Sequence, residues 1–139
     1  KACKFAPWRL TLEVTEQVLL GDVQQASQTL GQLAGQGMRI ALDDFGAGFC
    51  NFRYLKTLPL HYLKLDRAMI EGVPGSARDL AVLRAIVAMA GALDLKVIAE
   101  GVETEAQRAV IALEGCANWQ GFLRAAAMSG GEFGDLARG

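Results

Sequence analysis

Several stretches of this 139-residue chain place carboxylates where little else is polar. Glu13 lies in TLEVT (11–15), with Glu16 just beyond it. Asp43 and Asp44 close the apolar run RIALDD (39–44). Glu100 lies near the end of KVIAEG (96–101), and Glu103 follows. Lys64 and Asp66 stand in YLKLD (62–66), and Gln120 in NWQGFL (118–123). Two unit charges at about 4 Å interact by about 4 kcal/mol at an effective dielectric of about 20, so the Asp43–Asp44 pair is costly unless something compensates it. Adding Glu13 and Glu100 raises that cost. One lysine cannot neutralise four acids, whereas a divalent cation can. All-oxygen donors suit Mg²⁺ or Mn²⁺ rather than zinc. A pair of such ions about 3.5–4 Å apart, bridged by one carboxylate, is a usual arrangement for phosphodiester hydrolysis. The chemistry these residue types point to is metal-dependent phosphoryl transfer or hydrolysis.

Not every acid carries that meaning. A single acid at a strand end, such as Glu16 or Asp66, reads equally well as a helix N-cap or a surface charge. His61, the single histidine, reads as packed or solvated rather than catalytic. Trp8 and Trp119 read as core or interface aromatics. The glycine-rich DDFGAGF lacks the G-K-[ST] ending of a phosphate-binding Walker loop.

The acids need elements that deliver them to one place. The five stretches 11–15, 39–44, 62–66, 96–101 and 118–123 predict strands. The second and fourth are nearly continuous apolar runs, as in strands buried on both faces of a parallel sheet. Residues 17–36 put Val23, Ala26, Leu30 and Leu33 on one helical stripe, with Gly37 as the stop. Residues 77–93 do the same with Leu80, Leu83, Val87 and Ala90, after a Ser76–Asp79 start signal. Thr104 with Gln107 opens a helix from Glu105 to Leu113, and Gly115 stops it. A short helical turn at Phe52–Thr57 ends before Pro59. Ser129 with Glu132 opens a last helix through Leu136.

This alternation specifies an α/β fold with parallel strands and right-handed crossovers. Periodicity does not choose between a doubly wound sheet and part of a (β/α)8 barrel. In either, chemistry belongs at the C-terminal edge of the strands, where the acids fall. Neighbouring side chains in a strand point to opposite faces. For Asp43 and Asp44 both to hold metal, the strand is expected to break into loop there, as Gly46 and Gly48 permit.

Composition narrows the classes. The chain is 52% hydrophobic and 21% charged, enough apolar content to bury a core. Fourteen Lys+Arg against fifteen Asp+Glu give a net charge of −1, against a nucleic-acid polymer as partner. The longest apolar stretch, Leu80–Leu95, is cut by Arg84 and Asp94 and predicts no membrane span. Lys1–Leu10 carry no apolar h-region, so no signal peptide is visible. There is no initiator Met, and the chain is expected to be a fragment. Cys3, Cys50 and Cys116 match neither a disulfide framework nor a zinc spacing and read as reduced thiols of a cytoplasmic domain.

The segments LEVTE (12–16), ALDDFGAGFCNFRYLKTLPLHYLKLDR (41–67), VIAEGVET (97–104) and GCANWQGFL (115–123) occur in order. Together they resemble the C-terminal portion of an EAL-family cyclic di-GMP phosphodiesterase, over about residues 10–136 and hence nearly the whole chain. The resemblance implies a (β/α)8 TIM-like barrel, represented by about five of its eight β/α units, from bacterial second-messenger signalling. It implies hydrolysis of cyclic di-GMP to linear pGpG with two Mg²⁺ or Mn²⁺ ions. Carried over by position, Glu13 is a metal ligand, Asp43 bridges the metals and Asp44 binds the second. Lys64 holds or polarises the attacking water, and Glu100 is a metal ligand or the general base. Glu103 and Gln120 support the site. Glu16 tethers the DDFGAGF loop, which in the family couples dimerisation to the active site.

Two departures accompany the resemblance. The Glu-Ala-Leu motif and a later Asn-containing strand, each the source of a metal ligand, belong upstream of residue 1. Arg124-Ala125-Ala126-Ala127 stands where the family has Phe-Ser-Lys/Arg-Pro. These 139 residues are therefore expected to turn over weakly or not at all. The alternative is a degenerate cyclic di-GMP-binding or protein-interaction module. A homodimer through the DDFGAGF loop region, or through open sheet edges, is the assembly such a piece allows.

Overall fold

The computed structural model describes residues 5–15, 22–47 and 52–138. Glu16, Cys3, Cys50, Gly48 and part of the DDFGAGF loop lie outside the described residues, and so does the expected tether from Glu16. A single 3-10 turn at Pro7–Arg9 leads into β1 (Thr11–Thr15), followed by α1 (Val23–Gly35) and β2 (Arg39–Phe45). The chain continues through α2 (Phe52–Thr57), β3 (Tyr62–Leu65), α3 (Arg67–Glu71), α4 (Ala77–Ala92) and β4 (Lys96–Ala99). It ends with α5 (Glu105–Leu113), β5 (Asn118–Trp119) and α6 (Gly130–Arg138).

The five strands form one parallel sheet in the order β1-β2-β3-β4-β5. Each strand lies beside its sequence neighbour, and the order never reverses. A doubly wound sheet has a reversal point; a (β/α)8 barrel does not. The topology thus settles what periodicity left open: this is a barrel-type wall of five strands. The central strands β2 and β3 bury Ile40, Ala41, Leu42, Leu63 and Leu65 completely. Helical residues such as Leu30, Leu83, Ala90 and Ile111 close over the sheet. β1 is an edge strand, and its first three residues are exposed.

The helix starts follow local chemistry. Ser76 caps α4 by accepting from Asp79 N–H, and Thr104 with Gln107 forms a full capping box on α5. Ser129 Oγ accepts from Glu132 N–H, and Glu132 reaches back to Ser129 N–H. Gly37 and Gly115 take positive φ just past their helices, where a Cβ would be strained.

Several expectations need correction. α1 begins at Val23, after an extended Asp22 that caps it by accepting from Gln24 and Gln25 N–H, and residues 17–21 of the expected helix lie outside the described residues. β4 stops at Ala99 and β5 at Trp119, both shorter than expected. β5 ends where the backbone of Gly121 runs against Val102. A Cβ there would lie 2.2 Å from Val102 O, so glycine is the residue that fits. α3 was not anticipated; its cap is Asp66, whose carboxylate accepts from Ala68 N–H at 2.8 Å. Trp8 is 67% exposed rather than in the core, whereas Trp119 packs against the core half-buried.

Candidate active site

The acids meet at the C-terminal edge of the sheet. β1 supplies Glu13, β2 supplies Asp43 and Asp44, and β3 supplies Lys64. Glu100 follows β4 directly, and Gln120 follows β5. Lys64, only 4% exposed, stands at the centre. Its Nζ lies 2.8 Å from Glu13 Oε2, 2.8 Å from Asp43 Oδ1 and 2.6 Å from Glu100 Oε1. Burial would push its pKa down, but Asp43, Glu100 and Glu13 more than offset that. They hold it well above the usual lysine range, so it is charged at neutral pH. Gln120 Nε2 donates to the same Glu100 Oε1 at 2.8 Å and helps to fix that carboxylate.

The two aspartates share a side of the sheet because the strand bulges rather than breaks. β2 pairs Leu42 with Leu63 and then Phe45 with Leu65, so Asp43 and Asp44 together oppose Lys64. Asp44 takes φ +55°, a left-handed conformation that aspartate tolerates better than most residues. The expected loop begins only at Gly46, φ +99°, which presses on α3: a Cβ there would lie 2.7 Å from Met69 Sδ.

The residues fit a divalent cation. Asp43, Asp44 and Glu100 each present an oxygen, all within 4.8 Å of one another. Asp43 Oδ1 is buried, and the cation it faces is the Lys64 ammonium at 2.8 Å, already shared with Glu13 and Glu100. Four carboxylates against one ammonium leave three negative charges in excess. Hard cations answer both needs. Glu13 joins the cluster through Lys64 rather than as a member of that triad.

Glu103 stands slightly apart and pairs with Arg67, Oε1 to Nη2 at 3.1 Å. Asp66, Arg67, Glu100, Glu103, Gln120 and Phe122 line a cavity of about 500 Å³ next to the acids. Arg67 and Phe122 escaped sequence reasoning. Their signal was position alone: Arg67 is one residue past Asp66, and Phe122 two past Gln120. Ala125, Ala126 and Ala127, the altered tail, line the same cavity with small side chains.

Other residues are structural. His61 Nδ1 accepts from Ile40 N–H at 3.2 Å, consistent with a packed role. Burial and the Arg39 charge push its pKa down. Cys116 is buried, donates to the carbonyls of Val97 and Asn118, and has its thiol pKa pushed up by burial. Among the described residues no helix is long and apolar enough to cross a membrane.

Comparison with known proteins follows the same lines. The family model of the EAL domain matches residues 2–127. The bifunctional diguanylate cyclase/cyclic di-GMP phosphodiesterase MucR of Pseudomonas aeruginosa is 44% identical over 117 residues, covering 84% of this chain and 17% of that protein. The chain therefore spans about a sixth of that curated relative's length. The structure of the MucR phosphodiesterase in complex with cyclic di-GMP superposes with a TM-score of 0.84 at 41% identity, covering 93% of this chain and 52% of that one. A manganese and cyclic di-GMP complex of Klebsiella pneumoniae BlrP1 superposes at 0.78 with 30% identity, covering 86% and 30%.

Proposed function

The chain belongs to the EAL domain family, and from that premise we propose that it binds cyclic di-GMP with divalent cations, Mg²⁺ or Mn²⁺, and hydrolyses one of its phosphodiester bonds to give linear pGpG. The observation that carries this is the convergence of Asp43, Asp44 and Glu100, with oxygens within 4.8 Å, where Glu100 also lines a cavity of about 500 Å³. The MucR and BlrP1 complexes with the same nucleotide support it.

Asp43, Asp44 and Glu100 would hold the cations, with Glu13 completing the shell. When bound, the cations would neutralise phosphate charge and ease deprotonation of water. Lys64, charged at neutral pH, serves as a hydrogen-bond donor and cannot be the base. It orients the attacking water, whose proton passes to a carboxylate; the hydrogen bond from Gln120 supports Glu100 for that role, as metal ligand or general base. The water oxygen bonds to phosphorus, the bond from phosphorus to the 3′ oxygen breaks, and that oxygen takes up a proton. Arg67 and Phe122 offer a cation and an aromatic face to the phosphate and base.

A second function, nucleotide binding without turnover, is favoured by one feature. The Glu13 side chain is 47% exposed on an edge strand, against 19% for Asp43 and for Glu100. The test is incubation of the purified chain with cyclic di-GMP and Mn²⁺, beside E100Q. Appearance of pGpG that E100Q abolishes supports hydrolysis. Saturable binding in Ca²⁺ without pGpG supports the binding module. Absence of binding in Ca²⁺ and of product in Mn²⁺ overturns both. A homodimer through the loop after Asp44 or through the β1 edge is proposed as the assembly; a monomer by light scattering overturns it.

A further inference from the structure

Lys64 and Gln107 are the buried polar or charged residues among those described. Lys64 belongs to the acid cluster; Gln107 lies on α5, outside it. Gln107 Oε1 accepts from the backbone N–H of Glu103 and of Thr104, both at 3.0 Å. Its Nε2 donates to the carbonyl of Ile70 in α3 over a longer 3.4 Å. Two N–H donors converge on one terminal atom, so that atom is the oxygen, and the amide nitrogen must face Ile70. A glutamate would complete the capping box equally well. It would, however, set a carboxylate against the Ile70 carbonyl. The choice of glutamine is therefore explained by the contact to α3, not by the cap.

That contact joins two segments that also meet at the cavity. Arg67 of α3 pairs with Glu103 at 3.1 Å. Its stem lies on Gly101 so closely that a Cβ there would be 2.5 Å from Arg67 Cγ. Gln107 thus ties the 100–104 turn to α3 from the buried side, and Arg67 ties it from the cavity side. We propose that Gln107 is a positioning residue, holding the 100–104 turn on α3 so that Glu100, Glu103 and Arg67 keep their places around the nucleotide. This rests on the assignment of the cavity to cyclic di-GMP.

The test compares Q107E and Q107L with the unaltered chain. Cyclic di-GMP affinity is titrated in Ca²⁺, and backbone amide exchange and Tm are measured without ligand. Q107E keeps the Glu103 and Thr104 amides protected and Tm close to the unaltered value. It binds nucleotide about tenfold more weakly, as loss of an outer support does, and its α3 amides exchange faster. Q107L exposes the Glu103 and Thr104 amides as well and binds at least as weakly as Q107E. Unaltered nucleotide affinity in Q107E overturns the proposal. If the unaltered chain binds no nucleotide, the cavity assignment fails separately and exchange alone decides. Faster exchange across 67–71 in Q107E then supports the link; unchanged exchange there in both variants overturns it.

Discussion

Asp43 Oδ1 and Lys64 Nζ stand 2.8 Å apart across a bulge that sets two aspartates against one lysine. The bulge is what allows neighbouring carboxylates to reach one side of the sheet. The lysine is what allows them to remain there together before any other cation arrives. The rest of the cluster follows, because Glu13 and Glu100 come from the strands that flank this pair and close on the same ammonium.

Removal of that ammonium is expected to be costly in proportion to the charge left behind. K64M in EDTA loses about 3 kcal/mol, the low end for a broken buried pair because the acids are partly exposed. Thermal denaturation with and without Mn²⁺ checks this. Mn²⁺ raises the Tm of K64M more than that of the unaltered chain, since it replaces the missing charge. Equal gains in the two proteins would place the cation elsewhere.

The same pairs set a pH window. The folded Lys64 pKa is raised, so its contribution is fully present below the ordinary lysine value of 10.5 and is lost as pH rises beyond it. The stability gap between the unaltered chain and K64M stays level from about pH 6 to pH 9 and narrows above about 10.5 in denaturant titrations. A gap that closes near neutrality would show that Lys64 is not held in its charged form.

Asp44 is expected to separate metal binding from folding. It is exposed, and it is absent from the ion pairs of Lys64. D44N keeps a residue type that tolerates the left-handed backbone. It leaves metal-free stability within about 0.5 kcal/mol. Its Mn²⁺ affinity falls at least about tenfold, a difference of about 1.4 kcal/mol by calorimetry. Unchanged affinity would remove Asp44 from the ligand set.

His61 gives a second pH signature, at the opposite end of the strands. Its folded pKa lies below the ordinary 6.5, through burial first and Arg39 second, and its Nδ1 must stay unprotonated to accept from Ile40 N–H. The sign is therefore opposite to that of Lys64: stability is full above about pH 6.5 and falls as the solution is acidified through the folded value. H61N, whose side-chain oxygen can accept in place of Nδ1, flattens the slope between about pH 7 and pH 5. An unaltered slope would assign the acid loss to other groups.

Gly121 tests how tightly the wall is built. A Cβ at that position meets backbone, 2.2 Å from Val102 O, and backbone cannot swing aside. G121A is expected to cost about 3 kcal/mol, the upper range for overpacking, and to displace the neighbouring Gln120 from Glu100. Full stability of G121A in denaturant titrations would contradict that packing.

Much of this protein is determined by local rules that a linear sequence displays. Apolar runs that end in acids predict β2 and β4, and capping pairs such as Thr104–Gln107 and Ser76–Asp79 mark α5 and α4. The residues of the acid cluster were legible for the same reason, since a polar side chain at the end of a buried strand is conspicuous. α3 was not legible: five residues are too few to show a period, and its cap, Asp66, read equally well as a surface charge. The bulge at Asp43–Asp44 was not legible either, because register is a property of two strands and neither sequence alone contains it.

Which acids Lys64 would touch, and that Glu103 would turn to Arg67 instead, depended on how β1, β2, β3, α3 and the 100–104 turn pack at one edge of the sheet. The sequence by itself determined the elements and the residue types at their ends, because backbone preference and hydrophobic period act over a few neighbours. Only the tertiary structure decided the strand order, the bulge and the partners of each charge, because those are set by contacts between residues far apart in the chain.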